Sequence, residues 1–165
     1  MFAIIAVAWF TESASPENTL MRRDKAVVVT GCDSGFGLRL ALDLCEQGVQ
    51  VFAACLSLDS DGAKHLLSLR NPLMCVVKCD VTSDADVTDL RNCVERSLET
   101  ERVLWAVVNN AGVNFTGDVE LTTVELFKWV ADVNYMGVVR VTKSFLPLIR
   151  KCKGLLWMLV SSAFL

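Results

Sequence analysis

The chain has 165 residues, the length of a single domain. Its hydrophobic content of 53% is high for a soluble domain and suits parallel strands that are covered on both faces. The net charge is −3 and no basic run is longer than Arg22-Arg23, which argues against a nucleic-acid-binding protein.

The cysteines and the histidine give no sign of a metal site. The seven cysteines are Cys32, Cys45, Cys55, Cys75, Cys79, Cys93 and Cys152. Their number is odd and no CxxC motif occurs, so we expect mostly buried, reduced thiols in a reducing compartment. The one histidine, His65, falls in a predicted surface helix, which argues against a hydrolase triad as well.

Residues 1–23 are interpreted as a leader, and residues 24–165 as the folded domain. The first ten residues are almost wholly apolar, about half of what a membrane span needs. The segment lacks the positive start of a signal peptide, and with Glu12 and Glu17 it is a poor transit peptide. A disordered leader and a short targeting or membrane-associating segment are the two alternatives.

Apolar runs alternate with helix-periodic segments over the rest of the chain. The predicted strands cover residues 25–30, 49–55, 73–79, 103–108 and 155–160. The predicted helices cover 35–47, 61–69, 82 or 83 to about 99, a segment that begins at the capping box Thr122-x-x-Glu125, and 134–151. Alternation without hairpin signals predicts an α/β fold, a Rossmann-type doubly wound parallel sheet of order 3-2-1-4-5.

Helical periodicity also predicts which side chains face the sheet. In the first and third helices these are Leu38, Ala41, Leu42, Cys45, Val87, Leu90, Val94 and Leu98. In the two later helices they are Val124, Phe127, Val130, Val138, Val141, Phe145 and Leu148 or Ile149. Gly48 and Gly154 are predicted to end the first and last helices, and Pro147 is a potential kink.

The residues after the first strand are the strongest functional signal. They read Thr30-Gly31-Cys32-Asp33-Ser34-Gly35-Phe36-Gly37, and strand, glycine-rich turn and helix follow in the order that a dinucleotide-binding loop requires. Gly31 permits the tight turn, Gly35 lets the backbone approach a pyrophosphate, and Gly37 lets the helix pack closely on the strand. The helix N-terminus presents free N–H groups to phosphates. An ordinary turn with three glycines is the alternative.

Four further motifs follow along the chain. They are Cys79-Asp80-Val81-Thr82 after the third strand, Asn109-Asn110-Ala111-Gly112 after the fourth, Asn134 at the start of the long helix, and Val160-Ser161-Ser162 at the end of the fifth strand. With the T-G-x-x-x-G-x-G spacing of the loop, this series resembles the short-chain dehydrogenase/reductase family over about residues 25–162. The resemblance implies a nicotinamide cofactor and an oxidoreductase that acts on a secondary alcohol or ketone, without a metal.

The resemblance also implies which residues bind the cofactor. They are Thr30, Gly31, Asp33, Ser34, Gly35, Phe36 and Gly37 in the loop, Asp80 and Val81 at the adenine, and Asn109, Ala111 and Gly112 along the groove. From the residues alone, Asp80 could instead cap the next turn, and Asn109-Asn110 could be a plain turn.

The charges near the second strand favour NAD over NADP. The position that binds the ribose lies near Cys55, which is neither acidic nor basic, and the glycine loop carries Asp33 but no Lys or Arg. An anionic loop disfavours a 2′-phosphate by like-charge repulsion. Asp59 or Asp61 could reach the ribose.

The catalytic residues of the family are only partly present. Asn134 and Ser162 match its catalytic Asn and Ser, with Ser161 as the alternative because the fifth strand is one residue longer than expected. The resemblance implies a Tyr-x-x-x-Lys pair about a dozen residues beyond Ser162, but the sequence ends at Leu165. The expectation is a C-terminally truncated chain that lacks the last strands: an inactive part of a dehydrogenase, or a nucleotide- or partner-binding module.

Within the family, some segments carry a closer resemblance. Residues 25–37, 51–56, 117–120 and 141–151 are most similar to a mitochondrial dehydrogenase of a small hydroxy acid, and retinol and 17β-hydroxysteroid dehydrogenases share much of them. This implies a small hydroxy or keto substrate, a homo-oligomer and a mitochondrial location. A cytoplasmic location and one at the endoplasmic reticulum membrane are the alternatives.

Overall fold

Strands and helices alternate along the chain, and the computed structural model describes residues 24–98 and 102–158. The strands are β1 (Lys25–Thr30), β2 (Gln50–Cys55), β3 (Met74–Lys78), β4 (Val103–Asn109) and β5 (Leu155–Met158). The helices are α1 (Gly35–Glu46), α2 (Asp61–Ser68), α3 (Asp84–Ser97), α4 (Val124–Ala131) and α5 (Val138–Cys152), with a π-helical segment, Asp132–Gly137, between α4 and α5. The predicted leader and the Val160-Ser161-Ser162 motif lie outside the described residues.

The five strands form one parallel sheet of order β3-β2-β1-β4-β5. The predicted Rossmann-type α/β fold is thereby confirmed. The strand order reverses between β1 and β4, so the carboxyl ends of these two strands border the crevice where open α/β sheets bind their ligands.

Helices cover both faces of the central strands, which are apolar for that reason. Successive residues of a strand point to opposite faces, so Val27 and Val29 of β1 pack with α1 and α2. Val28 packs on the other face with residues of α3 and α5, where Phe52 and Phe145 are fully buried. The site at the carboxyl edge therefore rests on a sheet with two apolar cores.

Strand β4 carries a one-residue bulge near its start. Ala26 of β1 pairs with Leu104, but the next residue, Val27, pairs with Ala106, so β4 contains one more residue than β1 here. The extra residue is Trp105, and Lys25 Nζ lies 4.7 Å from the centroid of its ring. This cation–π contact covers the amino end of the two strands.

The buried stripe of α1 differs from the predicted one. Leu38 and Leu42 are only half-buried, while the buried residues are Gly37, Leu40, Ala41, Leu44 and Cys45. Gly37, Leu40, Ala41 and Leu44 follow the i, i+3, i+4, i+7 spacing of one helix face. The predicted face is nevertheless confirmed, since Ala41 and Cys45 are buried and Leu38 and Leu42 pack against the same core, but the buried stripe also includes Gly37, Leu40 and Leu44.

Helix α4 begins one residue later than its capping box predicts. Its N-cap is Thr123, whose hydroxyl accepts the Leu126 N–H at 3.3 Å, whereas the Thr122 hydroxyl donates to the Asp118 carbonyl. The predicted burial of two side chains is also wrong: Val124 is 61% exposed and Phe127 45% exposed. In the described part of the chain α4 contacts mainly the π-helical segment, which leaves these side chains uncovered.

Helix α5 buries Val141, Phe145 and Ile149 as predicted, and it continues through Pro147. Its C-cap is Lys153, with φ at 52°, and not the predicted Gly154. Gly154 instead allows a close approach to β4, because a Cβ there would lie 2.7 Å from the Leu104 carbonyl oxygen. Among the residues that the structure describes, no helix combines the length and apolarity needed to cross a membrane.

Candidate functional site

The glycine loop joins β1 to α1 at the carboxyl edge of the sheet, and it is open on one side. Gly35, at the start of α1, has a φ of 59°, a left-handed conformation that glycine adopts without strain. A Cβ at Gly35 would meet nothing within 4 Å, and Ser34 and Phe36 beside it are exposed. The N-terminus of α1 therefore begins at an exposed surface, where an anion would have room to bind.

Gly37 makes the closest approach in the loop. A Cβ at this position would collide with the Gly31 carbonyl oxygen and with the Asn110 side-chain nitrogen. The first turn of α1 thus lies directly against the loop itself. Gly37 does permit close packing, but the helix packs on the carbonyl of Gly31 in the loop and not on the strand as predicted.

The Thr30 side chain fixes the loop to β4. Its hydroxyl, in a residue only 1% exposed, accepts the N–H groups of Asn110 and Ala111 at 3.0 Å each and lies 3.4 Å from the Val108 carbonyl. The Asn110 amide donates in return to the carbonyls of Thr30 at 2.8 Å and Gly31 at 3.1 Å. Sequence reasoning did not select Asn110, although the Asn109-Asn110 motif was the signal for it.

The three predicted groove residues after β4 lie in different surroundings. Asn109 is 2% exposed, and its amide nitrogen is 3.5 Å from the Thr142 hydroxyl on α5, so little of its side chain can meet a ligand. Ala111 lies against the loop, since a Cβ on Gly31 would come within 2.7 Å of its Cα. Gly112 is exposed at the crevice. The backbone, more than the side chains, forms this wall.

Asp33 connects the glycine loop to the end of β2. Its two carboxylate oxygens accept the backbone N–H of Leu56 at 2.8 Å and of Ser57 at 3.1 Å. Gly62 of α2 packs so closely on the Asp33 carbonyl that a Cβ there would collide with it. Because these partners are 23 and 24 residues away in sequence, the local pattern could not reveal them.

The thiols of Cys32 and Cys55, near the loop, are unreactive at neutral pH. Burial, with a further contribution from Asp33, raises the pKa of Cys55 to about 12, and burial also raises the pKa of Cys32 well above its usual value. Both thiols are therefore protonated at neutral pH, and neither is a candidate nucleophile. The Cys32 thiol donates to the Val29 carbonyl at 3.2 Å.

Asp80 caps the turn that follows β3, which is the alternative that the sequence left open for this residue. One carboxylate oxygen, Oδ1, accepts both the Thr82 N–H at 2.8 Å and the Thr82 hydroxyl at 2.7 Å. Val81, the neighbouring predicted site residue, is buried under the same turn. These bonds fix the Asp80 side chain at the carboxyl edge of β3.

Asp86, which sequence reasoning missed, holds the same turn from α3. Its Oδ2 accepts Lys78 Nζ at 2.8 Å and the Asp80 N–H at 3.0 Å, and its Oδ1 accepts the Ser83 hydroxyl at 3.2 Å. These hydrogen bonds, the one from Lys78 first, hold the pKa of Asp86 below its usual value. The spacing Ser83-x-x-Asp86, which resembles a capping box, is the sequence signal that could have indicated this residue.

Asn134 lies inside the π-helical segment and not at the start of an α-helix as predicted. Its Oδ1 accepts the Val113 N–H and its Nδ2 donates to the Val113 carbonyl, both at 2.8 Å. The carboxamide thus clamps the loop that follows Gly112. The other predicted catalytic residue, Ser162, and its alternative Ser161 lie outside the described residues.

The arrangement suits a phosphate-containing dinucleotide. The open N-terminus of α1 provides N–H donors for phosphates, and the fixed turns at Asp33 and Asp80 border the same edge of the sheet. Within residues 24–98 and 102–158, no group of three or more His, Cys, Asp or Glu side chains could hold a metal ion.

Comparison with known families decides the wider assignment. The family model described as short chain dehydrogenase matches residues 25–163. The chain belongs to the short-chain dehydrogenase family. The family resemblance of the motifs is thereby confirmed.

Individual short-chain dehydrogenases are similar over most of the chain. Mitochondrial D-beta-hydroxybutyrate dehydrogenase of Bos taurus is 50% identical over 133 residues, which are 79% of this chain and 39% of that protein. Estradiol 17-beta-dehydrogenase 2 of Rattus norvegicus is 42% identical over 143 residues, 86% of this chain and 37% of that protein. The chain therefore spans less than two fifths of the length of these relatives.

Solved structures of the same family share the fold. The NADPH-bound carbonyl reductase from chicken fatty liver superposes with a TM-score of 0.71 at 26% identity, covering 78% of this chain and 53% of that one. The five-stranded sheet and its helices are thus the Rossmann-like unit of a short-chain dehydrogenase.

The Thr30 hydroxyl is expected to contribute more to the free energy of unfolding than the Thr30 methyl group does. Thr30→Val keeps the shape but leaves the Asn110 and Ala111 N–H groups without their acceptor, which should lower the free energy of unfolding by about 2 kcal/mol. Thr30→Ser keeps the hydroxyl and should lose less than about 1 kcal/mol, the cost of one methyl group. Urea unfolding of the three proteins measures the difference, and equal losses in both variants would contradict it.

The Asp86 interactions should stabilise the fold only while its carboxyl is ionised. Because the folded-state pKa is lowered, the contribution is present above the unfolded-state pKa of about 3.9 and is lost as the pH falls through the folded-state value. Asp86→Asn should therefore lower the free energy of unfolding by about 1–2 kcal/mol at pH 7. The loss should shrink toward zero near pH 2.

Asp89→Asn is the matched control for this experiment, since Asp89 is an exposed aspartate of the same helix. Urea unfolding at both pH values should give Asp89→Asn the same stability as the parent protein. A loss in Asp86→Asn that is equally large at both pH values would show that the ionised carboxyl is not responsible.

Proposed function

We propose that the chain is the cofactor-binding part of an NAD-dependent oxidoreductase that interconverts a secondary alcohol and a ketone, most like 3-hydroxybutyrate and acetoacetate. The observation that carries the proposal is the open glycine loop at the switch point, with the N-terminus of α1 exposed beneath Gly35. The substrate assignment is supported by 50% identity to the bovine hydroxybutyrate dehydrogenase.

The loop residues would hold the pyrophosphate through backbone N–H groups, and Asp80 and Val81 would border the adenine. When bound, a nicotinamide cofactor supplies the hydride acceptor or donor of the reaction. Asn134 holds Val113, and through it the backbone beside Gly112, which would border the nicotinamide side of the groove. Ser162 would bind the substrate oxygen, a role that comes from the family motif.

Asp33 is the argument for NAD. Its carboxylate occupies the backbone N–H groups of Leu56 and Ser57, the donors at the end of β2 that a ribose substituent would otherwise meet. A 2′-phosphate there would face a fixed negative charge and two N–H groups that are already bonded. The carbonyl reductase of chicken fatty liver carries NADPH, so NAD preference is a proposal about this chain and not a property of the fold.

Hydroxysteroid and retinol dehydrogenases are the alternative substrate classes, since estradiol 17-beta-dehydrogenase 2 of the rat is 42% identical. A hydroxybutyrate dehydrogenase would place the protein in mitochondria, as the name of the bovine relative does for that protein. A second candidate function is a non-catalytic module that binds a nucleotide or a protein partner. It is favoured by the exposed apolar side chains Leu155, Leu156 and Met158 on β5.

Cofactor binding tests the first part of the proposal. We expect NADH to bind the 165-residue chain at least about tenfold more tightly than NADPH in a fluorescence titration. Asp33→Asn should narrow this preference by about tenfold, because the repulsive charge is gone. Asp89→Asn, which removes an exposed carboxylate elsewhere, should leave the ratio unchanged. Equal or tighter binding of NADPH by the parent chain would refute the preference for NAD.

Turnover tests the second part. None of the 165 residues forms a Tyr-x-x-x-Lys pair, and the one tyrosine, Tyr135, has Val139 four residues on. In the family the tyrosine of this pair acts as the general acid–base, and loss of such a group typically lowers the rate by a factor of about 10²–10⁴. We therefore expect NADH binding without measurable NAD reduction when 3-hydroxybutyrate is added, with the bovine dehydrogenase as positive control. Clear NADH formation by the purified chain would contradict the expectation that turnover requires the Tyr-x-x-x-Lys pair.

A further inference from the structure

Arg140, near the start of α5, reaches back along the helix to the π-helical segment. Its Nη2 lies 2.7 Å from a carboxylate oxygen of Asp132, and its Nη1 donates to the Asp132 carbonyl at 3.5 Å. Its Nε lies 3.5 Å from the carboxylate of Asp84, the first residue of α3. The side chain of Arg140 is 21% exposed and that of Asp132 is 41% exposed, so solvent screens this pair less than a fully exposed one, whereas Asp84, at 90% exposed, makes a surface contact.

The segment that Arg140 holds is locally unusual. A π-helical turn is rare in proteins and interrupts the regular α-helical hydrogen-bond pattern. Asp132 is its first residue, and Arg140 binds both the side chain and the backbone carbonyl of that residue. Asn134 lies two residues further on, and both polar atoms of its amide are bonded to Val113.

The other end of the segment packs on the turn after β3. A Cβ at Gly137 would lie 2.7 Å from Cγ2 of Val81 and 3.4 Å from the Val81 carbonyl oxygen. Asp84, the second acidic partner of Arg140, follows this turn directly. The π-helical segment therefore lies between the turn that carries Asp80 and the loop that carries Gly112.

We propose that Arg140 is a positioning residue that holds the π-helical segment in the geometry in which Asn134 clamps Val113. Its two acidic partners explain why a guanidinium is needed: one planar group reaches Asp132 through two nitrogens and Asp84 through a third. The contacts stand independently of any ligand. That the positioned loop serves a cofactor groove rests on the proposed function.

Amide hydrogen exchange of Val113, followed by NMR, tests the proposal on the full chain. In Arg140→Gln the Val113 amide should exchange about tenfold faster, because local opening becomes easier, while the amide of Val28 in β1 keeps its rate. Arg140→Lys should restore part of the protection through Asp132 alone. Arg150→Gln, which removes an exposed arginine from the same helix, is the matched control and should change neither rate.

A double-mutant cycle separates positioning from general stability. Asn134→Ala removes the clamp, so adding Arg140→Gln to it should accelerate Val113 exchange little further. Asp132→Asn removes the charge that Arg140 contacts in the π-helical segment. It should accelerate the exchange of Val113 but not of Val28, and it provides the test even if Arg140→Gln fails to fold. Unchanged Val113 exchange in both Arg140→Gln and Asp132→Asn, or an equal acceleration of Val113 and Val28 exchange in these variants, would overturn the proposal.

NADH titration of the same samples keeps the two proposals apart. If the parent chain fails to bind NADH, the proposed function fails, while the Val113 exchange rates still decide the role of Arg140. If the parent chain binds NADH and Val113 exchange is unaffected by both Arg140→Gln and Asp132→Asn, the positioning role fails alone.

Discussion

The Thr30 hydroxyl is the contact on which the candidate site depends. It accepts two backbone N–H groups from the end of β4 while the Asn110 amide returns two bonds to the end of β1. Buried polar groups of this kind are costly when unpaired, so the strands are held in one relative position at their carboxyl ends. The glycine loop, the first turn of α1 and the wall formed by Ala111 all take their places from this junction.

Negative charge around the crevice is compensated mainly by peptide groups. Asp33 uses both carboxylate oxygens on N–H groups at the end of β2, and Asp86 accepts the N–H of Asp80 together with the Lys78 ammonium. Backbone donors have fixed positions, so each carboxylate also fixes a turn. At the N-terminus of α1, by contrast, the N-cap residue Ser34 makes no side-chain hydrogen bond to the first turn.

The sheet order, the strand positions and the glycine loop were predictable because their signals are local: apolar runs, helical periodicity and glycine spacing. The rest depends on contacts between distant residues. Asp33 meets Leu56 across 23 positions, and Asn134 meets Val113 across 21, and no periodic pattern records either pair. The π-helical turn was missed for a related reason, since a segment of six residues is too short to shift the apolar periodicity of a long helix. The fold could thus be predicted well, and the interactions that shape the site could not.

The bulge at Trp105 sets the phase of the Asn109-Asn110 motif. Strand residues alternate between faces, and the extra residue reverses that alternation between Leu104 and Ala106. Asn109 consequently points toward Thr142 on α5, and Asn110 toward the glycine loop. An uninterrupted ladder from Leu104 would exchange the two asparagines, placing the first beside the loop and the second under the helix. The single inserted residue thus decides which of two identical neighbours meets the glycine loop and which meets the helix.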